Sequence, residues 1–384
     1  MPLVRGRDHP VSDPRAPAAA LRRKLLAWYD VHRREMPWRR DPKPWHVWVS
    51  EIMLQQTRVE SVIEYYHRFL ARFPTPAALG AASQDEVLSL WAGLGYYARA
   101  RNLQKAAQQV VERHGGEVPG DPAAFLALAG VGRYTCGAVQ SIAFGHPVAV
   151  LDGNVIRVLC RVDLVESNPR EKRTNDALWS RAAQLADGDR PGDLNQALME
   201  LGALICTPRT PSCDDCPISP LCSARVSGDP ARVPIKPKRK TRPHHTYQAA
   251  LCRDATDRIF LGRRPTHGLL GGLWSLPMIE GDTPTALHHL SLAVDADDQL
   301  ATIQHGFTHQ VWTVTLYASD GKPSGGPFET WRAFTTADLA TIGLAGPSLK
   351  ALRAAGINLP HRRGAGPRRA GADEKRAARK AGPS

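Results

Sequence analysis

Nowhere in the 384 residues does an apolar run approach the ~18 residues that a membrane-spanning helix needs, so an integral membrane protein is excluded. The N-terminal stretch MPLVRGRDHPVSDPRAPAAA has no apolar signal core, which argues against secretion and for a cytoplasmic chain. Internal repeats are missing as well, and sustained strand-like alternation is scarce over the first 224 residues. Cysteine is sparse and uneven: of seven, Cys136, Cys160 and Cys252 stand alone, while Cys206, Cys213, Cys216 and Cys222 fall within 17 residues. In a cytoplasmic chain such crowding points to a metal before disulfides. What is present is ordinary for a chain that buries real cores, 42% hydrophobic and 23% charged, and excludes wholesale disorder or a coiled coil.

The formal net charge is +13, but its placement matters more than its size. Residues 232–243 (RVPIKPKRKTRP) hold six basic and no acidic residues, and residues 361–384 hold eight basic and two acidic. Each segment therefore carries +6, and together they supply +12 of the +13. This is the signature of basic arms drawn to a polyanion, or of solubilising tails; it locates no groove.

Residues 1–20 lack periodicity and read as a disordered arm. From 21 to 231 the apolar positions recur every three or four residues between Gly/Pro turns, clearest at 48–67, 85–91, 98–114 and 196–205, which predicts an all-α domain. Residues 232–243 read as an extended basic linker. Beyond it, 247–252, 258–262 and 311–318 favour β-branched and aromatic residues, with short helical patterns at 283–293 and 349–355. An α+β domain is expected over 244–360, followed by a disordered basic tail, 361–384.

Several motifs carry chemistry. Four cysteines spaced C-x6-C-x2-C-x5-C can enclose one centre, a four-cysteine zinc or a [4Fe–4S] cluster; with only one C-x2-C unit, iron–sulfur is the better chemical fit. Leu128-Ala-Gly130-Val-Gly132 is a tight turn between helical patterns near 124–140, where a following helix start can hold a phosphate oxygen; any tight helix–helix turn also uses glycine. Asp152 ends an apolar run just before a helical pattern, either as a functional carboxylate or as a helix cap. Glu51 sits among apolar residues, where burial would raise its pKa as a general acid requires, or it is simply a glutamate of a helix's first turn. Tyr96, beside Tyr97 on a glycine turn, could wedge into a base stack or merely pack. Trp38-Arg39 could read a purine edge or anchor a helix start.

Taken in order, PWR at 37–39, SEIMLQQT at 50–57, WAGLGYYARARNL at 91–103, LDGNV at 151–155 and the four cysteines resemble the helix–hairpin–helix DNA glycosylases with an iron–sulfur cluster, specifically adenine DNA glycosylases of the MutY type. The resemblance covers some nine-tenths of the chain, from about Leu21 to near Pro360. It implies base excision from double-stranded DNA at adenine paired with 8-oxoguanine or guanine, by a monomer with a [4Fe–4S] cluster on Cys206, Cys213, Cys216 and Cys222. Carried across by position, Glu51 is the general acid and Asp152 the carboxylate that stabilises an oxocarbenium-like sugar. Tyr134 and Asn154 support that sugar, and Trp38, Arg39 and Glu200 line the adenine pocket. Gln56 and Tyr96 probe the duplex, and Gly130 and Gly132 hold its backbone. Related glycosylases that also nick DNA have lysine where this chain has Tyr134; a tyrosine forms no Schiff base, so base removal by hydrolysis is expected, with at most weak lyase activity. Ala129 stands where the family often has proline, a small change.

The C-terminal domain resembles a Nudix-like module that recognises 8-oxoguanine. The glutamate-rich helix of a working Nudix hydrolase is missing from 271–291, so phosphohydrolase activity is not expected. Phe307, Thr308 and His309 match the loop directed at the oxidised base, with threonine where serine is frequent. Rival readings are a thymine or damaged-pyrimidine glycosylase, a lesion sensor without excision, and a nucleotide pyrophosphatase. The attached reader domain, the presence of both Glu51 and Asp152, and the missing glutamate helix argue against them in turn.

Overall fold

The computed structural model describes residues 16–235 and 241–359. The expected N-terminal arm, the middle of the linker and the basic tail therefore lie largely outside the described residues. Fourteen α-helices occur among the described residues: α1 (Ala18–His32), α2 (Pro37–Arg40), α3 (Pro44–Leu54), α4 (Val59–Arg72), α5 (Pro76–Gly80), α6 (Gln84–Trp91), α7 (Ala98–His114), α8 (Pro122–Leu126), α9 (Arg133–Phe144), α10 (Gly153–Val162), α11 (Lys172–Ala186), α12 (Pro191–Leu204), α13 (Ser223–Val226) and α14 (Gly346–Ala354). Seven strands, all after residue 243, are β1 (His244–Cys252), β2 (Ile259–Arg263), β3 (Trp274–Ser275), β4 (Met278–Glu280), β5 (Gln299–Gly306), β6 (Val311–Ser319) and β7 (Thr330–Phe334). The helical-then-mixed order is the one the periodicity predicts.

The chain forms two compact units that cut across its linear order. One takes the described chain up to Gln55 and from Gln109 to 235; the other takes Gln56–Gln108 and the described residues from 241 on. In the first unit, α1 buries Leu21, Leu25, Trp28 and Tyr29, one face at helical spacing. These join Val155, Val158, Leu159, Leu178, Leu185, Leu194, Leu198 and Leu201 in one core, against which Cys206 and Cys216 also pack. Helix α3 starts at Pro44, pre-set for a first helical turn, and is buried on nearly every side.

In the second unit two sheets form, ordered β4-β1-β6-β5 and β3-β2-β7. Strand β1 runs parallel to β6, with Tyr247 opposite Val314, and the other pairings between these strands are antiparallel. Ala249, Leu261, Trp274, Trp312, Val314, Leu316, Phe334 and Leu352 fill the core between the sheets and α14.

Three boundaries differ from the sequence reading. The pattern over 48–67 is two helices, because Gln56 adopts a left-handed backbone (φ 60°) that no α-helix accommodates. Residues 18–20, read as part of a loose arm, already belong to α1. The pattern over 283–293 is a 3-10 helix, Pro284–Leu290, stopped by left-handed Ser291.

Candidate functional site

Because α3 is a core helix, it carries Glu51 into a dry place: the residue is only 5% exposed. Burial pushes its carboxyl up to about 7, and the nearby negative charge of Asp152 pushes the same way. A hydrogen bond donated by the Tyr134 hydroxyl to Glu51 Oε2 (2.8 Å) and the Arg39 charge oppose this without cancelling it. Tyr134 enters on the first turn of α9, and its hydroxyl also lies 3.2 Å from Met199 Sδ. Burial and the two carboxylates push Tyr134 well above the usual tyrosine range, so it stays a neutral donor.

Asp152 is the N-cap of α10. One carboxylate oxygen accepts from the backbone N–H of Asn154 (3.0 Å) and Val155 (2.8 Å), and the other from Asn154 Nδ2 (3.0 Å). Burial raises its pKa, but these three donors and Arg157 pull against burial. The two carboxylates thus sit in unlike surroundings, one with a single neutral hydrogen-bond donor and one at a helix N-terminus with three. The cap and the functional carboxylate weighed in the sequence are compatible here. Asn154 is itself fixed, since Arg157 Nη2 donates to its Oδ1 (2.7 Å) and to Gly202 O (2.6 Å).

Glu200, on α12, is 2% exposed and held by two arginines. Arg34 donates to it from its backbone N–H (3.0 Å), Nε (2.8 Å) and Nη2 (3.0 Å), and Arg39 from Nη2 (3.0 Å). Burial alone would raise the Glu200 carboxyl, but the arginines overcome it and hold it near 2. Arg39 also donates to Gln196 Oε1 (2.9 Å), and Trp38 is buried beside it in sequence. Sequence reasoning missed Arg34 and Gln196. The available signal was that a glutamate on a buried helix face needs a cation.

At the hairpin, Asp121 caps α8 through Ala124 N (2.7 Å). Gly130 takes φ +73°, a conformation that favours glycine, and Gly132 is the N-cap of α9 without a side-chain cap. Gly130 and Gly132 are exposed, leaving the start of α9 accessible.

In the second unit three residues far apart in sequence converge. The Tyr96 hydroxyl donates to Gln56 Oε1 (3.0 Å) and is hydrogen-bonded to Thr308 Oγ1. Gln56 (φ 60°) and Tyr96 (φ 50°) both hold left-handed backbones, strain that tends to mark functional positions. Tyr96 is 45% exposed. Thr308 and His309 are exposed at the β5–β6 turn, which closes through Phe307 N to Gln310 O (2.8 Å). The Phe307 ring packs edge-on against Trp312, and its carbonyl accepts from Arg242 Nη1 (3.1 Å).

Cys206, Cys213, Cys216 and Cys222 line one cavity with Val158, Arg161 and Ile218. No three His, Cys, Asp or Glu side chains among the described residues are grouped to hold a single metal ion, in this loop or in the α+β part. Glu280, in the region where a glutamate helix would stand, is instead bonded to His245 Nδ1 (2.7 Å) and the Tyr247 hydroxyl (3.2 Å). No helix among the described residues is long and apolar enough to cross a membrane.

Two family models match the chain: an HhH-GPD superfamily base excision DNA repair protein over residues 49–184 and a NUDIX domain over 248–354. The adenine DNA glycosylase of Rattus norvegicus is 37% identical over 396 residues, spanning 85% of this chain and 77% of that protein. The adenine DNA glycosylase of Homo sapiens is also 37% identical, over 85% of this chain and 73% of its own length. Among solved structures, a thermostable thymine-DNA glycosylase is 32% identical with a TM-score of 0.51, covering 55% of this chain and 97% of that one.

Proposed function

Because this chain belongs to the adenine DNA glycosylases, we propose that it hydrolyses the N-glycosidic bond of adenine paired with 8-oxoguanine or guanine in double-stranded DNA. We take it to act as a monomer in the cytoplasm. The observation that carries the mechanism is the buried Glu51, still protonated near neutral pH and aligned by Tyr134. Adenine's anion is a poor leaving group, so a ring nitrogen must gain a proton before the bond to the sugar breaks. The base leaves the stack for this, at a cost of a few kcal/mol. Glu51 gives the proton, a step worth ~10²–10⁴-fold in rate. Asp152, ionised on its three donors, stabilises the cationic sugar that remains until a water adds at C1′ and gives its proton up to the Glu51 carboxylate or to solvent. Asn154 orients Asp152, while Trp38, Arg39 and Glu200 line the adenine pocket. Tyr134 occupies the hairpin position with a hydroxyl already engaged on Glu51, which supports hydrolysis over lyase chemistry.

Gln56, Tyr96 and Thr308 form the probe of the opposite base, and Phe307 and His309 flank it. Their mutual hydrogen bonds support this reading. Gly130 and Gly132 hold the DNA backbone at the start of α9.

The residues of the cysteine loop fit a [4Fe–4S] centre. Its four cysteines line one cavity, so four thiolates can converge on one centre there. Backbone N–H groups of Ile218, Ala224 and Arg225 point at Cys216 and Cys222 sulfurs, as an anionic centre requires. When bound, the cluster supplies a tie for the loop and a site for electron exchange.

The deciding experiment is product analysis on an adenine·8-oxoguanine duplex. Free adenine, with strand cleavage only after alkali, is expected. Intact adenine there, with thymine released from a G·T duplex instead, would overturn the reading in favour of the chemistry named for the solved neighbour.

A further inference from the structure

Arg161, on α10, is among the largest fully buried side chains, 2% exposed. A buried guanidinium is costly by several kcal/mol unless its charge is compensated. The other buried arginine here obeys this rule, Arg181 pairing with Asp163 (2.9 Å), and the half-buried Arg39 pairs with Glu200 (3.0 Å). Arg161 has no carboxylate at ion-pair distance among the described residues. Its donors go to Val233 O (Nε, 3.1 Å), Thr207 O (Nη1, 2.7 Å), Pro208 O (Nη2, 3.3 Å) and Cys206 Sγ (Nη1, 3.3 Å). A second cation, Arg157, lies close enough to feel its charge and donates to Cys206 O (2.7 Å). Three carbonyls satisfy the hydrogen bonds but carry no net charge, so the compensating charge has to come from the sulfur side.

We infer that Arg161 is the built-in counter-cation of an anionic four-cysteine centre, and that it raises the reduction potential of the cluster held there. The inference rests on the cluster reading above. A centre held by four thiolates is anionic, and taking up one electron from an electrode makes it more so. A fixed cation with an N–H···S bond favours that reduced form, since net charge and hydrogen bonds to sulfur set such potentials. Arg161 also ties α10 to two other stretches, the run Cys206–Thr207–Pro208 and Val233. It is a positioning residue, and potential and rescue by lysine are readouts that packing alone would not move.

The test uses the full chain purified without oxygen, as wild type, Arg161→Lys, Arg161→Gln and Arg161→Met. Iron and zinc per chain are counted, and the potential is read by voltammetry. The neutral variants should either keep iron and shift to more negative potential, or lose iron where Arg161→Lys retains it. Neutral variants with full iron at the wild-type potential would overturn the inference, as would loss of metal from the lysine variant as complete as from the neutral ones. Wild type carrying zinc and no iron would instead sink the cluster reading; the same comparison of metal retention across the variants then still decides whether Arg161 is a counter-cation.

Discussion

At the scale of single residues the site turns on two carboxylates treated differently. Burial holds Glu51 protonated up to about 7, against an ordinary glutamate value of 4.5. The folded chain therefore binds a proton that the unfolded chain has released between those values, and stability falls as pH rises through that window, by about 3 kcal/mol once pH exceeds 7. Glu51→Gln removes this penalty and the acidic proton together. The variant should be more stable than wild type to urea at pH 8, with the difference vanishing by about pH 4.5, yet bind duplex normally and excise adenine at least ~10²-fold more slowly. Wild-type single-turnover rates should fall about tenfold per pH unit above 7. A Glu51→Gln protein of near wild-type rate, or an alkaline limb absent from the wild-type profile, would remove Glu51 from the role of acid. Tyr134→Lys replaces the neutral donor with an amine in the same place, so borohydride should then trap a covalent DNA adduct that wild type forms poorly. Strong trapping by wild type would contradict hydrolysis without lyase chemistry. The burial of Glu51 was legible because a lone glutamate in an apolar helix stands out. Arg34 was not, since its meaning comes from Glu200, 166 positions away in the chain.

Elements place these residues by close approach as much as by periodicity. Helix α9 carries Tyr134, and its Gly137 lies against the run that ends in Asp152: a Cβ at Gly137 would stand 2.0 Å from Ala149 O. Gly137→Ala should push α9 and that run apart, costing roughly 1–3 kcal/mol as overpacking does and slowing excision beyond the loss of folded protein. Gly80→Ala is the control, because a Cβ there would meet its nearest neighbour, Gln108, at 3.5 Å, an ordinary van der Waals contact. Equal urea midpoints and rates for Gly137→Ala and wild type would show that the contact sets nothing. The helix and strand identities were readable, because α1, α7 and β6 repeat their apolar residues at the periods of helix and strand. The break after α3 was not: Gln56 looks like any helix former, and its left-handed backbone is imposed by its surroundings rather than by its own preference.

For the whole molecule, the two compact units run across the chain rather than along it. Glu51, Tyr134, Asn154 and Asp152 share one compact unit, while Gln56 and Tyr96 belong to the unit that contains Thr308. The sequence shows two domains in order, but nothing in the periodicity of 56–108 reveals which partner those helices keep. Within that second unit Arg101 donates to Gly271 O (2.5 Å) and Arg263 pairs with Asp85 (3.3 Å), so cutting the chain at the linker would disturb Gln56–Gln108 as well as remove the 307–309 loop. Substituting Thr308 and His309 by alanine in the full chain isolates the loop. Guanine and 8-oxoguanine differ at the five-membered ring, where N7 changes from acceptor to donor and C8 gains a carbonyl. Hydrogen bonds to such features are worth roughly 1–3 kcal/mol, or about five- to 150-fold. The double variant should lose about that much preference for adenine opposite 8-oxoguanine over adenine opposite guanine, with the guanine rate little changed. Both substituted side chains are exposed, so folding should be unaffected. No lysine or arginine is removed, so the dependence of duplex affinity on salt should keep its slope. Measured beside wild type at one salt concentration, equal discrimination would show that the loop does not read the opposite base, whereas lost discrimination with a flattened salt slope would mean that general DNA affinity had been disturbed instead.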